Sequence, residues 1–168
     1  TFMRTALKNM RSDDYFRILR FANNTSHFAK TSLRATPGNL QRARHFINGL
    51  SANGGTELNG AMNAAFDVNQ PENTMRIVVF LTDGYIGRDR QVIKTVAGRI
   101  GNARVYAFGI GNSVNRFLLD GIAKEGRGRA RYVGVGETET EAAEALAADI
   151  QAPLLTDISI DWNGLETT

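Results

Sequence analysis

One acidic residue directly follows a run of apolar residues near the middle of the sequence. The segment Arg76-Ile-Val-Val-Phe-Leu-Thr-Asp-Gly84 places five apolar residues in a row just before Thr82 and Asp83. A carboxylate at the end of such a segment acts either in a turn, as Asp-Gly commonly does, or as a ligand. Both interpretations of Asp83 stay open on this segment alone.

A second segment, Gly54-Gly-Thr-Glu-Leu-Asn-Gly60, brings a hydroxyl to the start of a helical pattern. Two glycines allow the backbone to turn tightly before Thr56. The simplest interpretation of Thr56 is a side-chain cap for the helix that follows, because threonine is common at that position.

The elements around these two segments alternate in type along the chain. Apolar or alternating runs predict strands over 15–22, 75–82, 103–110, 130–135 and 154–162. Helical spacing predicts helices over 1–10, 36–50, 57–68, 89–100, 114–124 and 138–151. This order predicts an α/β fold with a doubly wound, Rossmann-like, mostly parallel sheet flanked by helices. Ligands bind such sheets at the carboxyl ends of the strands, where Asp83 is expected.

The amino-acid composition excludes several classes of function. The chain has 168 residues, a formal net charge of +3 and no cysteine. The absence of cysteine excludes disulfides, iron–sulfur clusters and thiol catalysis. The small net charge argues against a dedicated nucleic-acid binder, and no apolar run is long enough to insert into a membrane.

The order of the segments resembles the von Willebrand factor type A domain. The resemblance rests on an apolar strand ending in Leu-Thr-Asp-Gly and on a Gly-Gly-Thr loop that opens a helix. Residues 15–21 are similar to that family's second strand, and residues 105–111 are similar to its fifth. Residues 115–128 and 153–162 resemble the subgroup of inter-alpha-trypsin inhibitor heavy chains and their bacterial relatives. The likeness extends from Thr1 to Trp162.

The resemblance implies a divalent cation above the sheet, in a metal-ion-dependent adhesion site. Thr56 matches the family's threonine ligand and Asp83 matches its aspartate ligand. Mg²⁺ suits such oxygen donors, because it keeps waters beside one or two carboxylates; Mn²⁺ or Ca²⁺ are the alternatives. A carboxylate from a protein partner would complete the shell of the cation.

The sequence departs from the family pattern at its beginning. The family's Asp-x-Ser-x-Ser loop is absent, and the chain begins inside the expected first helix. We therefore expect the first, central strand to be missing, and metal binding by this chain alone to be weak or nil. Three arrangements would close the gap: an upstream segment, a strand from another chain by exchange or dimerisation, or the C-terminal strand. The domain is assigned to residues 1–152, and residues 153–168 form a C-terminal extension.

The resemblance predicts a cation-dependent adhesion domain of an extracellular, periplasmic or cell-surface protein, without enzymatic activity. A scaffold domain with a non-functional metal site is the first alternative. A small α/β hydrolase is the second, although the sequence contains neither a nucleophile elbow nor a phosphate-binding loop. His27 and His45 lack a third residue that would orient either ring, and Gly109-Ile-Gly111 lacks the third glycine of a dinucleotide motif.

Overall fold

The computed structural model describes residues 1–22, 25–50, 58–83, 87, 89–111, 113–134 and 138–151. The helices are α1 (Phe2–Lys8), α2 (Pro37–Asn48), α3 (Leu58–Phe66), α4 (Asp89–Arg99), α5 (Arg116–Glu125) and α6 (Glu139–Gln151). The strands are β1 (Tyr15–Phe16), β2 (Leu19–Phe21), β3 (Thr25–His27), β4 (Leu33–Arg34), β5 (Ile77–Thr82), β6 (Arg104–Ile110) and β7 (Ala130–Val133).

A three-stranded parallel sheet with the order β5-β6-β7 forms the centre of the domain. β5 pairs with β6 from Ile77 opposite Arg104 to Thr82 opposite Gly109. β6 is buried from Val105 to Gly109, as expected for a strand between two others and covered on both faces. The predicted parallel α/β sheet with flanking helices is confirmed.

Two hydrophobic clusters cover the two faces of this sheet. On one face, Phe80 and Val105 pack with buried residues of α3, α4 and α5. On the other face, Phe108 packs with α1 and α6, and its ring centroid lies 4.6 Å from that of Phe2. Burying a side chain of this size contributes about 1.5–3 kcal/mol. The two layers therefore hold the strands from both sides.

Local sequence signals account for where the helices begin. The Thr36 side chain accepts a hydrogen bond from the Asn39 N–H, and Pro37 opens α2, as predicted. At α6, the Thr138 N–H donates to Glu141 at 2.7 Å, and the Glu141 N–H donates to the Thr138 hydroxyl at 3.2 Å. This reciprocal pair satisfies two amide donors at the helix start.

The segment predicted as one strand over 15–22 differs in the structure. It forms two short strands, and each pairs antiparallel with a different neighbour: β1 with β4, and β2 with β3. Arg17, between them, donates instead to the Ala64 carbonyl at 3.2 Å, which links this segment to α3. Among the described residues, no strand pairs with the outer edge of β5. The missing first strand stays a prediction, and the C-terminal strand over 154–162 lies outside the described residues.

A hydrogen bond and a cation–π contact join β7 to α5. The Tyr132 hydroxyl donates to the Asp120 carboxylate at 2.6 Å. The Arg116 guanidinium lies 4.3 Å from the centroid of the same ring. Burial, and next the hydrogen bond to Asp120, raise the pKa of Tyr132 well above its usual range.

Gly128 is required by a close backbone approach. A Cβ at this position would lie 2.1 Å from the Val105 carbonyl oxygen, whereas a Cβ at Gly98 in α4 would meet nothing within 4 Å. We expect Gly128→Ala to lower the free energy of unfolding by about 1–3 kcal/mol through overpacking. Gly98→Ala, the matched control, should raise it by about 0.5–1 kcal/mol. Urea denaturation measures both, and equal effects would contradict this packing.

The raised pKa of Tyr132 predicts a pH effect at alkaline pH. The folded state favours the neutral phenol, so this stabilisation is complete below the unfolded pKa of about 10 and is lost as the pH rises above it. We expect Tyr132→Phe to remove the tyrosine that ionises at the highest pH in a spectrophotometric titration of the native protein. Tyr15→Phe is the control, because this tyrosine is 43% exposed. If the highest step survives in Tyr132→Phe, the assignment is wrong.

Candidate metal centre

Asp83 is the first residue after β5, at the carboxyl edge of the parallel sheet. Its side chain is exposed, and Thr82 before it is half-buried. The register places Thr82 opposite Gly109, and Gly109 opposite Tyr132, so the three strands end side by side. A carboxylate in this position faces the crevice where ligands of open α/β sheets bind.

Thr56 lies outside the described residues, as do Gly54, Gly55 and Gly84 of the two predicted loops. The helix that follows Thr56 is described, and two contacts fix its direction. The Thr95 hydroxyl donates to Asn59 at 2.7 Å near the start of α3. Arg99, at the end of α4, pairs with Asp67, just after α3.

These contacts show that α3 and α4 run in the same direction. Asn59 lies beside Thr95, and the later residue Asp67 lies beside the later residue Arg99. Arg76, just before β5, donates to the Phe66 carbonyl at the end of α3 at 2.8 Å. The end of α3 therefore lies at the amino edge of the sheet. Its beginning, at Leu58, faces the carboxyl edge, as Asp83 does.

The starts of α4 and α5 also lie at the carboxyl edge. Asn115 caps α5, and its buried side chain accepts from the Leu118 N–H at 3.1 Å. Phe117, in the next turn, is 61% exposed. With Asp89, Arg90 and Gln91 of α4, it lines a shallow depression.

Sequence analysis missed this depression. In the apolar pattern of α5, the buried residues are Leu118, Leu119, Ile122 and Ala123. Phe117 falls outside that stripe, and this is the signal that could have identified it as an exposed aromatic residue. One Asp89 carboxylate oxygen is buried without a hydrogen-bond partner among the described residues.

Arg127, Arg129 and Arg131 form a basic cluster whose side chains make contacts within the domain. Arg129 and Arg131 lie 3.4 and 3.5 Å from the Asp149 carboxylate. Arg127 donates to the Gly101 carbonyl at 2.9 Å. These contacts favour a structural role for the cluster over phosphate binding.

The described residues contain no cluster of potential metal ligands around Asp83. Within those residues, no group of three or more histidine, aspartate, glutamate or cysteine side chains is arranged to hold a metal ion. No described helix is both long and apolar enough to cross a bilayer. The described part of the site thus supplies the exposed Asp83 carboxylate and the starts of α3, α4 and α5 at one edge.

Curated proteins of known sequence share this chain's pattern over almost its whole length. Inter-alpha-trypsin inhibitor heavy chain H3 of Pongo abelii is 28% identical over 169 residues, covering 93% of this chain and 19% of the relative. A von Willebrand factor A domain-containing protein of Dictyostelium discoideum is 28% identical over 160 residues, with 95% and 17% covered. The chain therefore spans about a fifth of the length of these relatives.

Solved structures share the fold. A von Willebrand factor type A protein from Catenulispora acidiphila superposes with a TM-score of 0.79 at 20% identity, covering 88% of this chain and 36% of that one. BatB from Bacteroides thetaiotaomicron gives 0.72 at 17% identity, with 89% and 83% covered. Proximal thread matrix protein 1 from the mussel byssus, with a zinc-occupied MIDAS motif, gives 0.64 at 17% identity, with 87% and 38% covered.

The family model for the von Willebrand factor type A domain matches residues 1–132. Domains of this family generally mediate protein–protein interactions without enzymatic activity, and they commonly bind a divalent metal. Inter-alpha-trypsin inhibitor heavy chains are among the relatives that this chain resembles over 93% of its length. This chain belongs to the von Willebrand factor type A domain family.

Proposed function

We propose that this domain binds a protein partner through a divalent cation held at the carboxyl edge of its sheet. Asp83 is the carboxylate ligand and Thr56 is the hydroxyl ligand of this cation. Mg²⁺ is the expected ion, with Mn²⁺ or Ca²⁺ as alternatives. The observation that carries the proposal is the exposed Asp83 side chain at the end of β5, in a chain of this family.

The direction of α3 supports a shared site for Thr56 and Asp83. Thr56 precedes Leu58 by two residues, and Leu58 begins α3 on the carboxyl side of the sheet. Because two residues extend by no more than about 7 Å, a helix start at the other edge would have ruled out a common site. The direction of α3 thus supports a common site for Thr56 and Asp83.

The donor set fits a hard cation that retains part of its own hydration. Mg²⁺ usually binds one or two protein carboxylates, together with waters and ligand oxygens. The bound cation supplies a positive charge that a partner's carboxylate can reach. Asp83 holds one side of that shell with an oxygen of a charged group, and Thr56 adds a neutral oxygen. Because only one of these two ligands is charged, the cation would keep a net positive charge that attracts an acidic residue of the partner.

The other arrangement that the residues support is a scaffold domain with a non-functional metal site. It is favoured because the described residues contain no group of three or more side chains that could hold a metal ion. The family's Asp-x-Ser-x-Ser loop, which would add ligands, does not occur in this sequence. A hydrolase is disfavoured, because the chain has no nucleophile elbow and no cysteine. We further propose an extracellular, periplasmic or cell-surface location, with a partner that presents an acidic residue.

The metal assignment is tested by calorimetry with Mg²⁺ on a chain that begins upstream of Thr1. We expect Asp83→Asn to weaken Mg²⁺ binding by at least about tenfold, because losing one ligand charge costs about 1.4 kcal/mol or more. Glu144→Gln is the matched control: it removes one charge from an exposed residue of α6 and should leave binding unchanged.

Thermal melting of the same proteins separates the two candidate functions. A cation at one hundred times its dissociation constant stabilises the folded state by about 2.7 kcal/mol, so the melting temperature of the wild type should rise. Undiminished binding in Asp83→Asn refutes the ligand assignment. If the extended chain folds but Mg²⁺, Mn²⁺ and Ca²⁺ all leave its melting temperature unchanged, the domain is a scaffold with a non-functional metal site.

A further inference from the structure

The first 50 residues carry an excess of positive charge, and they contribute no residue to the proposed metal site. They contain nine of the 20 lysines and arginines but only two of the 17 aspartates and glutamates. Both acids belong to one turn: Asp13 pairs with Arg11 at 3.2 Å, and Asp14 accepts from the Arg11 N–H at 2.8 Å. The segment therefore carries an excess of seven basic residues over acidic residues, nine against two.

Part of this charge surrounds a depression on the outer side of α2. We call this surface the α2 patch: Arg42, Arg44 and His45 on its rim, and the rings of Phe28 and Phe46 at its base. The two ring centroids lie 5.4 Å apart with their planes tilted by 48°. The Arg42 guanidinium lies 5.7 Å from the centroid of Phe28. The patch therefore combines cations with half-buried aromatic surface.

A neighbouring helix adds charge and rigidity to the rim. Arg4 of α1 donates to the side-chain Oδ1 of Asn48 from Nε at 3.1 Å and from Nη2 at 2.6 Å. Asn48 also lines the depression. Among the described residues, none of Arg4, Arg42 and Arg44 forms a salt bridge. The cations of the rim are exposed and lack acidic partners within the described part of the chain.

We propose that the α2 patch binds an acidic segment of a partner protein, with carboxylates against the arginines and an apolar side chain against the two rings. Arginine favours this contact, because its planar guanidinium binds carboxylates bidentately and stacks on aromatic rings. The two rings are tilted by 48° and half-buried, so they do not form a flat platform for successive stacked bases. This surface lies on α2, outside the two helical layers that cover the sheet, so it is independent of the cation.

The test uses two fluorescent 18-residue peptides on the full chain, one repeating Glu-Glu-Leu and one repeating Glu-Glu-Ser. We expect the leucine peptide to bind at least about fivefold more tightly, because it alone can fill the apolar base. Arg42→Glu combined with Arg44→Glu should weaken its binding at least about tenfold, and binding should fall with added salt. Arg42→Gln with Arg44→Gln should give a smaller loss in the same direction.

The control pair is Lys94→Glu with Lys124→Glu, which changes the net charge equally at exposed positions of α4 and α5. It should alter binding by less than about threefold, since screening limits distant surface charges. Equal affinity for the two peptides, or an equal loss in the control pair, overturns the proposal. It is also overturned if heparin or single-stranded DNA binds the patch more tightly than the leucine peptide does. Should the glutamate pair fail to fold, the glutamine pair decides between these outcomes.

Discussion

The parallel pairing of β5 with β6 is the constraint on which the rest of the structure depends. Six residue pairs, from Ile77 with Arg104 to Thr82 with Gly109, hold these strands in register. Because both faces of the sheet are covered by helices, the strands must be apolar along their length. β5 is apolar from Ile77 to Leu81, and Asp83 is the first residue after the strand. The exposed carboxylate is thus a consequence of strand register.

The same arrangement explains why several loops converge at one edge. β5, β6 and β7 end side by side, and α4 and α5 begin after the strands that precede them. α3 reaches the edge from outside the sheet, held in line with α4 by Thr95 and Arg99. Each helix start also presents free amide donors, which are satisfied locally by caps such as Asn115. The metal proposal and the α2 patch concern different surfaces, so one can fail without the other.

Much of this fold could be predicted from sequence because local signals agreed with the tertiary structure. Thr36-Pro37 marked the start of α2, and the apolar runs gave β5 and β6 to within two residues. The division of the predicted strand over 15–22 was missed, because pairing with β3 and β4 is not encoded within the segment itself. The placement of Asp83 at a carboxyl edge is confirmed. Its role as a ligand, and that of Thr56, stay predictions.

The α2 patch was not predictable from local patterns. Phe28 and Phe46 are 18 positions apart in the chain and lie on different elements, so only the folded structure brings them together. The sequence places His45 beside Arg42 and Arg44 on a predicted helix, but it does not show that Phe28 lies next to them. In the same way, Phe117 becomes notable only when the packing of α5 shows which side of that helix is buried.

The central claim is that a cation binds at the carboxyl edge beside Asp83. Paramagnetic broadening of amide resonances by substoichiometric Mn²⁺ tests it directly, and it detects weak binding as well. The account predicts that Asp83 and Gly111, at the carboxyl ends of β5 and β6, broaden first, while Arg76 and Arg104 at the opposite ends stay sharp. Broadening centred on the amino edge or on another part of the surface would contradict it.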